Sequence, residues 1–244
     1  MCEHSADCGR LLGTPPLAVI LAGGKGTRLR SVVSDRPKPM AQVNGRPFLE
    51  FIVRTLQRSG VRRVVMCIGH LGEVIRRHFG YGGGWGLEIV YSEDDGLGTG
   101  GALRKTLPLL NADPVLVLNG DSYCEVNLEA LLTWHLARKA RGSLVLTQAQ
   151  RTGRYGRVSR DADGIITQFE EKIDSDLPGW INAGTYLLAR EIVAAIPPDG
   201  AFSLERDVFA KLVGQGLFGY PSSGRFLDIG TPESYKRAAQ FFPK

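Results

Sequence analysis

The 244 residues predict an α/β domain built on a mostly parallel sheet. Three observations carry that expectation. Short apolar runs rich in β-branched residues alternate with amphipathic segments along the chain. Two of the runs, Leu17 to Leu21 and Pro114 to Leu118, are apolar throughout, as strands buried on both faces must be. Each leads into a glycine-containing turn carrying charge, which is how an open α/β sheet presents a ligand crevice beyond the carboxyl ends of its strands.

The first run opens LAVILAGGKGTRLRSVVSDRPKPM, Leu17 to Met40. Gly23, Gly24 and Gly26 let the backbone turn sharply and line up N–H groups around an anion. Lys25, Arg28 and Lys38 add positive charge, and the guanidinium of Arg28 can take two phosphate oxygens at once. Prolines on both sides of Lys38 restrict the backbone and fix its ammonium in one place. A dinucleotide fingerprint needs a third glycine where Leu29 stands, and the Gly-Lys-Ser/Thr ending of a P-loop is absent.

Downstream, Asn44-Gly45 predicts a turn and Pro47 the first residue of a helix with Phe48, Ile52 and Leu56 on one face, stopped by Gly60. Arg63 to Ile68 reads as a strand, Leu71 to Phe79 as a helix and Leu87 to Ser92 as a strand after the break Gly80 to Gly86. Ser92 to Leu103, SEDDGLGTGGAL, again sets glycines before a helix, either for close approach to a flat polar ligand or as a helix start capped by Thr99. Pro114 to Leu118 ends in Asn119-Gly120-Asp121, where Asp121 is either a carboxylate facing the crevice or a turn former. Leu128 to Ala140 reads as a helix in which Trp134 and His135 have surface or packing roles. Ser143 to Ala149 is a strand. Tyr155 to Val158 and Gly164 to Glu170 pair as a hairpin across Asp161-Ala162-Asp163-Gly164, so that literal D-x-D belongs to a turn. Trp180 to Leu188 is a strand interrupted by Asn182-Ala183-Gly184, and Phe202 to Val213 is an amphipathic helix capped at Ser203. Thr231 and Pro232 start the last helix, close to Asp228, which is either a ligand or a cap.

Hydrophobic residues make up 43% of the chain, and the net charge is +5. The basic residues are scattered, without the aromatic interleaving of a base-stacking groove, so a small polyanion explains the balance and nucleic acid is not expected. No apolar run approaches the ~18 residues of a membrane span. The start MCEHSADCGR has no apolar run of a secretory signal, so a cytoplasmic protein is expected. Cys2, Cys8, Cys67 and Cys124 lack paired spacing and are expected as free thiols.

GGKGTRLR followed by PKPM resembles the signature of the sugar-1-phosphate nucleotidyltransferases. Within that family LRSVVSDRPKPMA is most similar to the D-glycero-α-D-manno-heptose 1-phosphate guanylyltransferases. The resemblance implies a Rossmann-like three-layer α/β/α domain with a mostly parallel mixed central sheet, of the nucleotide-diphospho-sugar transferase type. Residues 1–14, polar and without periodicity, are expected to be a disordered tail, followed by a single domain over 15–244, with residues 15–124 the nucleotide-binding half and 125–244 the sugar-binding half. The expected partners are a nucleoside triphosphate, GTP first, and a sugar 1-phosphate, with a homo-oligomer allowed and no membrane.

The same resemblance implies that Arg28, Lys38 and Asp121 are catalytic. Leu21, Ala22, Gly23, Gly24, Lys25, Gly26, Thr27, Arg28, Glu93, Gly98, Thr99 and Asp121 would bind the nucleotide. Lys38, Tyr155, Gly156, Glu171, Lys172, Asn182 and Gly184 would bind the sugar phosphate. Asp121 and Asp228 would hold Mg²⁺. Ile173 replaces the family's proline after Glu171-Lys172, and SLERDVF resembles a segment of the mannose-type and heptose-type members. The product would be a GDP-heptose for bacterial surface polysaccharide. The alternatives are mannose 1-phosphate with GTP, a UTP or dTTP enzyme, a GT-A glycosyltransferase, and a non-catalytic nucleotide-sugar sensor.

Overall fold

A computed structural model describes residues 17–24, 26–29, 31–94, 96–171 and 177–242. The expected tail and the positions Lys25 and Lys172 lie outside the described residues, as does the side chain of Glu171.

The chain begins with β1 (Leu17–Leu21), a ribbon of β2 (Gln42–Val43) and β3 (Arg46–Pro47), and α1 (Phe48–Arg58). Next come β4 (Arg63–Ile68), α2 (Gly72–Phe79), β5 (Glu88–Glu93), α3 (Gly98–Lys105), β6 (Val115–Asn119), β7 (Ser122–Cys124) and α4 (Leu128–Ala137). The later part holds β8 (Gly142–Ala149), β9 (Gly156–Arg160), β10 (Ile166–Glu171), β11 (Gly179–Leu188) and α5 (Arg190–Ala195). A π-helical segment (Leu204–Phe209) then runs into α6 (Ala210–Leu212), followed by β12 (Leu217–Pro221), β13 (Phe226–Asp228) and α7 (Pro232–Phe241).

Among the described residues nine strands form one sheet, with the path β10-β9-β11-β6-β1-β4-β5 and with β8 and β12 continuing from β11. The β6-β1-β4-β5 part is parallel, and β11 runs antiparallel to β6, β8 and β9, so the sheet is mixed. The alternation of β1 shows why both faces are apolar. Ala18 and Ile20 pack with α1, α2, α4 and α7, whereas Leu17 and Val19 pack with α3, α5 and the π-helical segment. Leu17, Val19 and Ile20 taken from water each contribute about 1.5–3 kcal/mol, and the three layers follow from covering both faces.

Three expectations shift in detail, at Pro47, at the end of α4 and after Ser203, while His135 and the D-x-D turn are as expected. Pro47 pairs with Gln42 across the Asn44-Gly45 turn and precedes α1 instead of starting it. Helix α4 stops at Ala137, because Lys139 takes a left-handed conformation and Ala140 N–H donates back to His135 O. His135 is buried with Nδ1 2.8 Å from Ser143 Oγ, and that burial lowers its pKa, so it is a packing residue. The capped segment after Ser203 is π-helical before its single α turn, although Ser203 does accept from Arg206 N–H as an N-cap. Asp161 spends its carboxylate on Ile165 N–H at 2.8 Å inside the hairpin, so the D-x-D is a turn.

Candidate active site

The strands β1 and β6 end side by side, and a cleft of about 870 Å³ opens above them. After β1 the chain turns through Gly23 and Gly24. A Cβ on Gly23 would lie 2.6 Å from Asp94 Oδ2, so only glycine allows that approach. Gly26 has φ +57°, and a Cβ there would lie 3.0 Å from Lys38 Cβ. A 3-10 turn, Thr27–Leu29, follows: Leu29 is buried and anchors it, which leaves Arg28 exposed on the cleft.

Lys38 starts a second 3-10 turn between its two prolines, where Met40 N–H donates to Pro37 O. Its side chain is only 10% exposed, and its Nζ donates to Asp121 Oδ2 at 2.5 Å. The Asp121 side chain keeps 38% of its surface exposed because it opens on the cleft. Burial raises its pKa most, but the charge and hydrogen bond of Lys38, the Ser122 hydroxyl and the charge of Arg28 together outweigh it. The carboxyl is held below its ordinary range and stays ionised.

Asp228 reaches Asp121 through a short antiparallel ribbon. In the pairing of β13 with β7 it stands opposite Ser122, and Ile229 N–H donates to Asp121 O at 3.0 Å. A Cβ on Gly230 would sit 2.6 Å from Asp228 Oδ2 and 3.5 Å from Lys38 Nζ, so both side chains converge over that glycine. Arg154 Nη2 donates to Asp228 Oδ1 at 3.0 Å. Two carboxylates facing the cleft are hard oxygen donors of the kind that hold a divalent cation. Thr231, not Asp228, caps α7, in a capping box with Ser234.

On the sheet's antiparallel side, Asn182 and Gly184 interrupt the β8–β11 register. Gly184 has φ +75°, its N–H donates to Asn182 Oδ1 at 2.9 Å, and Asn182 Nδ2 donates to Tyr186 Oη at 2.9 Å. Asn119 Nδ2 also reaches that hydroxyl at 3.3 Å, and its buried Oδ1 accepts no hydrogen bond among the described residues. Tyr155 and Gly156 line the same side, and burial, with the Asp228 charge, pushes the Tyr155 phenol up.

The cleft therefore brings together Leu21, Ala22, the described loop glycines with Thr27 and Arg28, both aspartates with Lys38, and Tyr155, Gly156, Asn182 and Gly184. Gly98 and Thr99 also line it, but Thr99 does not cap α3: its hydroxyl donates to Glu205 and accepts from Leu204 N–H. Glu93 is not brought in, since its carboxylate pairs with Arg76 at 3.2 Å; the acidic group on the cleft is the next residue, Asp94. Asp94, Asn119, Arg154 and Glu205 escaped the sequence reading. The first two stand beside residues it named, and the acidic run SEDD and the sequence NGD were the available signals. Arg154 carried only its place before Tyr155-Gly156. Cys67 also lines the cleft, with its thiol pushed up by burial, and it and Cys124 are free as expected.

The Nucleotidyl transferase family matches residues 17–244. The D-glycero-alpha-D-manno-heptose 1-phosphate guanylyltransferase of Campylobacter jejuni is 37% identical over 222 residues, or 89% of this chain and 96% of that protein. The mannose-1-phosphate guanylyltransferase of Mycobacterium tuberculosis is 34% identical over 91% of this chain, which spans only 63% of that relative's length. HddC from Yersinia pseudotuberculosis superposes with a TM-score of 0.83 at 31% identity, over 93% of this chain and 100% of that one. Its structure complexed with GMP-PN superposes at 0.81 with 30% identity and the same coverage. The expected three-layer fold is the fold of these proteins. The match runs from the first residue of β1 onward, and the chain belongs to the Nucleotidyl transferase family.

Proposed function

We propose that the protein joins GTP to D-glycero-α-D-manno-heptose 1-phosphate, giving GDP-heptose and pyrophosphate. One observation carries the reaction class: a single cleft holds the glycine loop with Arg28, the Lys38–Asp121 pair beside Asp228, and the Asn182–Gly184 pocket. The choice of base and sugar is supported by the similarity to heptose 1-phosphate guanylyltransferases and to HddC complexed with GMP-PN.

A sugar phosphate is already anionic at neutral pH, so its oxygen can attack the α-phosphorus in line without a protein nucleophile. The task of the site is positioning and charge stabilisation. The loop amides and Arg28 would hold the triphosphate and the charge of the departing pyrophosphate. Lys25 would help Arg28 there, and Lys38 and Lys172 would hold the attacking phosphate or the α-phosphate. Asp121 and Asp228 would hold Mg²⁺, which supplies charge neutralisation between the reacting phosphates. Asn182 and Gly184, with Tyr155, Gly156 and Glu171, would bind the sugar. Glu93 keeps a place in the nucleotide set only if it leaves Arg76. The reaction is placed in the cytoplasm, where nucleoside triphosphates are available.

Pyrophosphate release across a grid of four nucleoside triphosphates and several sugar 1-phosphates tests this. Activity confined to UTP or dTTP refutes the guanylyl assignment. GTP with a preference for mannose 1-phosphate favours the second reading, which the mycobacterial relative supports. Binding without pyrophosphate release points to a sensor, and glycosyl transfer from a nucleotide sugar to a glycosyltransferase.

A further inference from the structure

The segment between β8 and β9, residues 150–155, leads straight into one wall of the cleft. Tyr155 and Gly156 line it, and the next residue, Arg157, pairs with Ile181, the neighbour of Asn182. Within the segment Tyr155 N–H donates to Thr152 O at 2.9 Å, and Thr152 Oγ1 donates to Leu177 O at 3.0 Å, just before β11. Arg154 reaches the other way, to β13 and α7. Its Nη2 donates to Asp228 Oδ1 at 3.0 Å and to Ser234 Oγ at 3.5 Å.

Two successive residues meet β13 together. Phe226 and Asp228 stand two apart on that strand and so share a face. Tyr155 sets its ring edge-on to Phe226, with centroids 5.7 Å apart, while Arg154 takes Asp228. The guanidinium also stands 5.5 Å from the centre of the Tyr155 ring. Its Nε is buried and has no hydrogen-bond partner among the described residues, so the carboxylate and the ring are what hold it.

Exposure decides whether such a pair matters. An ion pair open to water contributes little, but the Asp228 side chain is only 15% exposed, against 37% for Arg154, and the bond is charge-assisted. Arg154 is also outside the reacting space: it is not among the described residues that line the cleft, whereas Asp228, Gly230 and Lys38 are. It uses Oδ1, and Oδ2 is the oxygen that a Cβ on Gly230 would meet at 2.6 Å, on the side of Lys38. One carboxylate thus holds the wall with one oxygen and faces the cleft with the other.

We propose that Arg154 is a positioning residue for the sugar 1-phosphate, a latch that fixes the wall Tyr155–Gly156 to β13 through Asp228. That the wall serves the sugar rests on the reading above; the latch itself does not.

The test compares the full chain with Arg154→Met and Arg154→Lys. Amide hydrogen exchange of the ligand-free protein over residues 150–156, which include the bonded Tyr155 N–H, reads the latch directly. In Arg154→Met this segment is expected to exchange roughly 3–10-fold faster, the scale of a charged hydrogen bond discounted for solvent, with β1 and β6 unchanged. Pyrophosphate-release kinetics read the consequence. KM for the sugar 1-phosphate is expected to rise by roughly 3–10-fold as the fraction of protein with the wall in place falls, with KM for GTP unchanged and kcat within about twofold. Arg154→Lys keeps a cation of similar reach and is expected to recover most of both effects. Unchanged exchange in Arg154→Met, faster exchange throughout the chain, a fall in kcat with both KM values unchanged, equal rises in both KM values, or no recovery by lysine overturns the inference. Faster exchange at 150–156 with KM raised for GTP alone refutes the sugar reading of the wall rather than the latch. A wild-type protein that turns over no sugar 1-phosphate fails that reading first, and the exchange measurement still decides the latch.

Discussion

Replacing Lys38 by Met keeps a side chain of similar length and removes the ammonium 2.5 Å from Asp121. Two effects should follow. Loss of a cation that stabilises developing phosphate charge lowers kcat by roughly 10²–10³. Stability falls too: breaking a fully buried pair costs about 3–5 kcal/mol, which solvent screening at a carboxylate open to the cleft cuts to roughly 1–2 kcal/mol, or a Tm lower by roughly 2–8 °C.

The pH dependence separates this account from a packing defect. In the wild type the Asp121 carboxyl lies below 3.8, so the pair's contribution is present above that value and is lost as pH falls through the folded pKa. In Lys38→Met only Ser122 and Arg28 oppose burial, the largest influence, and the carboxyl rises above its ordinary value. Its unpaired charge then destabilises the variant near neutrality, and that cost relaxes as pH falls and the group is protonated. The Tm gap between the two proteins should therefore be widest near neutrality and narrow toward about pH 4, measured by scanning calorimetry. A gap that stays constant or widens on acidification refutes the reasoning. So does a folded variant with wild-type turnover.

Gly230→Ala puts a methyl group 2.6 Å from Asp228 Oδ2, so the carboxylate must move. The Mg²⁺ concentration for half-maximal activity should rise on the order of tenfold, with Mn²⁺ binding to the apoprotein followed by EPR as a second readout; an unchanged metal titration removes Asp228 from the assignment. Asn182→Ala loses the bonds to Gly184 N–H and Tyr186 Oη and should raise KM for the sugar 1-phosphate on the order of tenfold with KM for GTP unchanged. Equal changes in both would place Asn182 outside the sugar pocket.

How far the sequence reached depends on what kind of information each feature needs. Strand β1 is apolar throughout, and such runs end where glycine or charge begins, so Leu17–Leu21 and Arg63–Ile68 were readable to the residue. The close approaches at Gly23 and Gly184 were readable as glycines but not as to what they approach, because Asp94 and Asn119 arrive from other strands. Arg154 is the clearest omission: nothing local marks an arginine whose partner lies in β13. Glu93 shows the reverse failure, since period-two alternation makes a one-residue error move a side chain to the other face. It turned to Arg76, and Asp94 took the cleft. The amphipathic pattern after Ser203 identified its apolar face correctly, with Leu204 and Phe209 buried, but apolar spacing does not separate a π turn from an α turn over six residues.

The ribbon of β7 and β13 has a consequence for how the protein is made. Asp121 stands in the turn just after β6 of the central sheet, while its partner carboxylate arrives only with β13, near the far end of the chain. That late segment is clamped by distant contacts: Tyr235 Oη donates to Gln42 O at 2.6 Å, and Asn44 Nδ2 donates to Ala239 O and Phe242 O. At roughly 5–20 residues per second, translation leaves an interval on the order of ten seconds between the two aspartates. The four parallel strands are therefore all made before the second carboxylate, and the cleft is complete only once the C-terminal clamp has arrived.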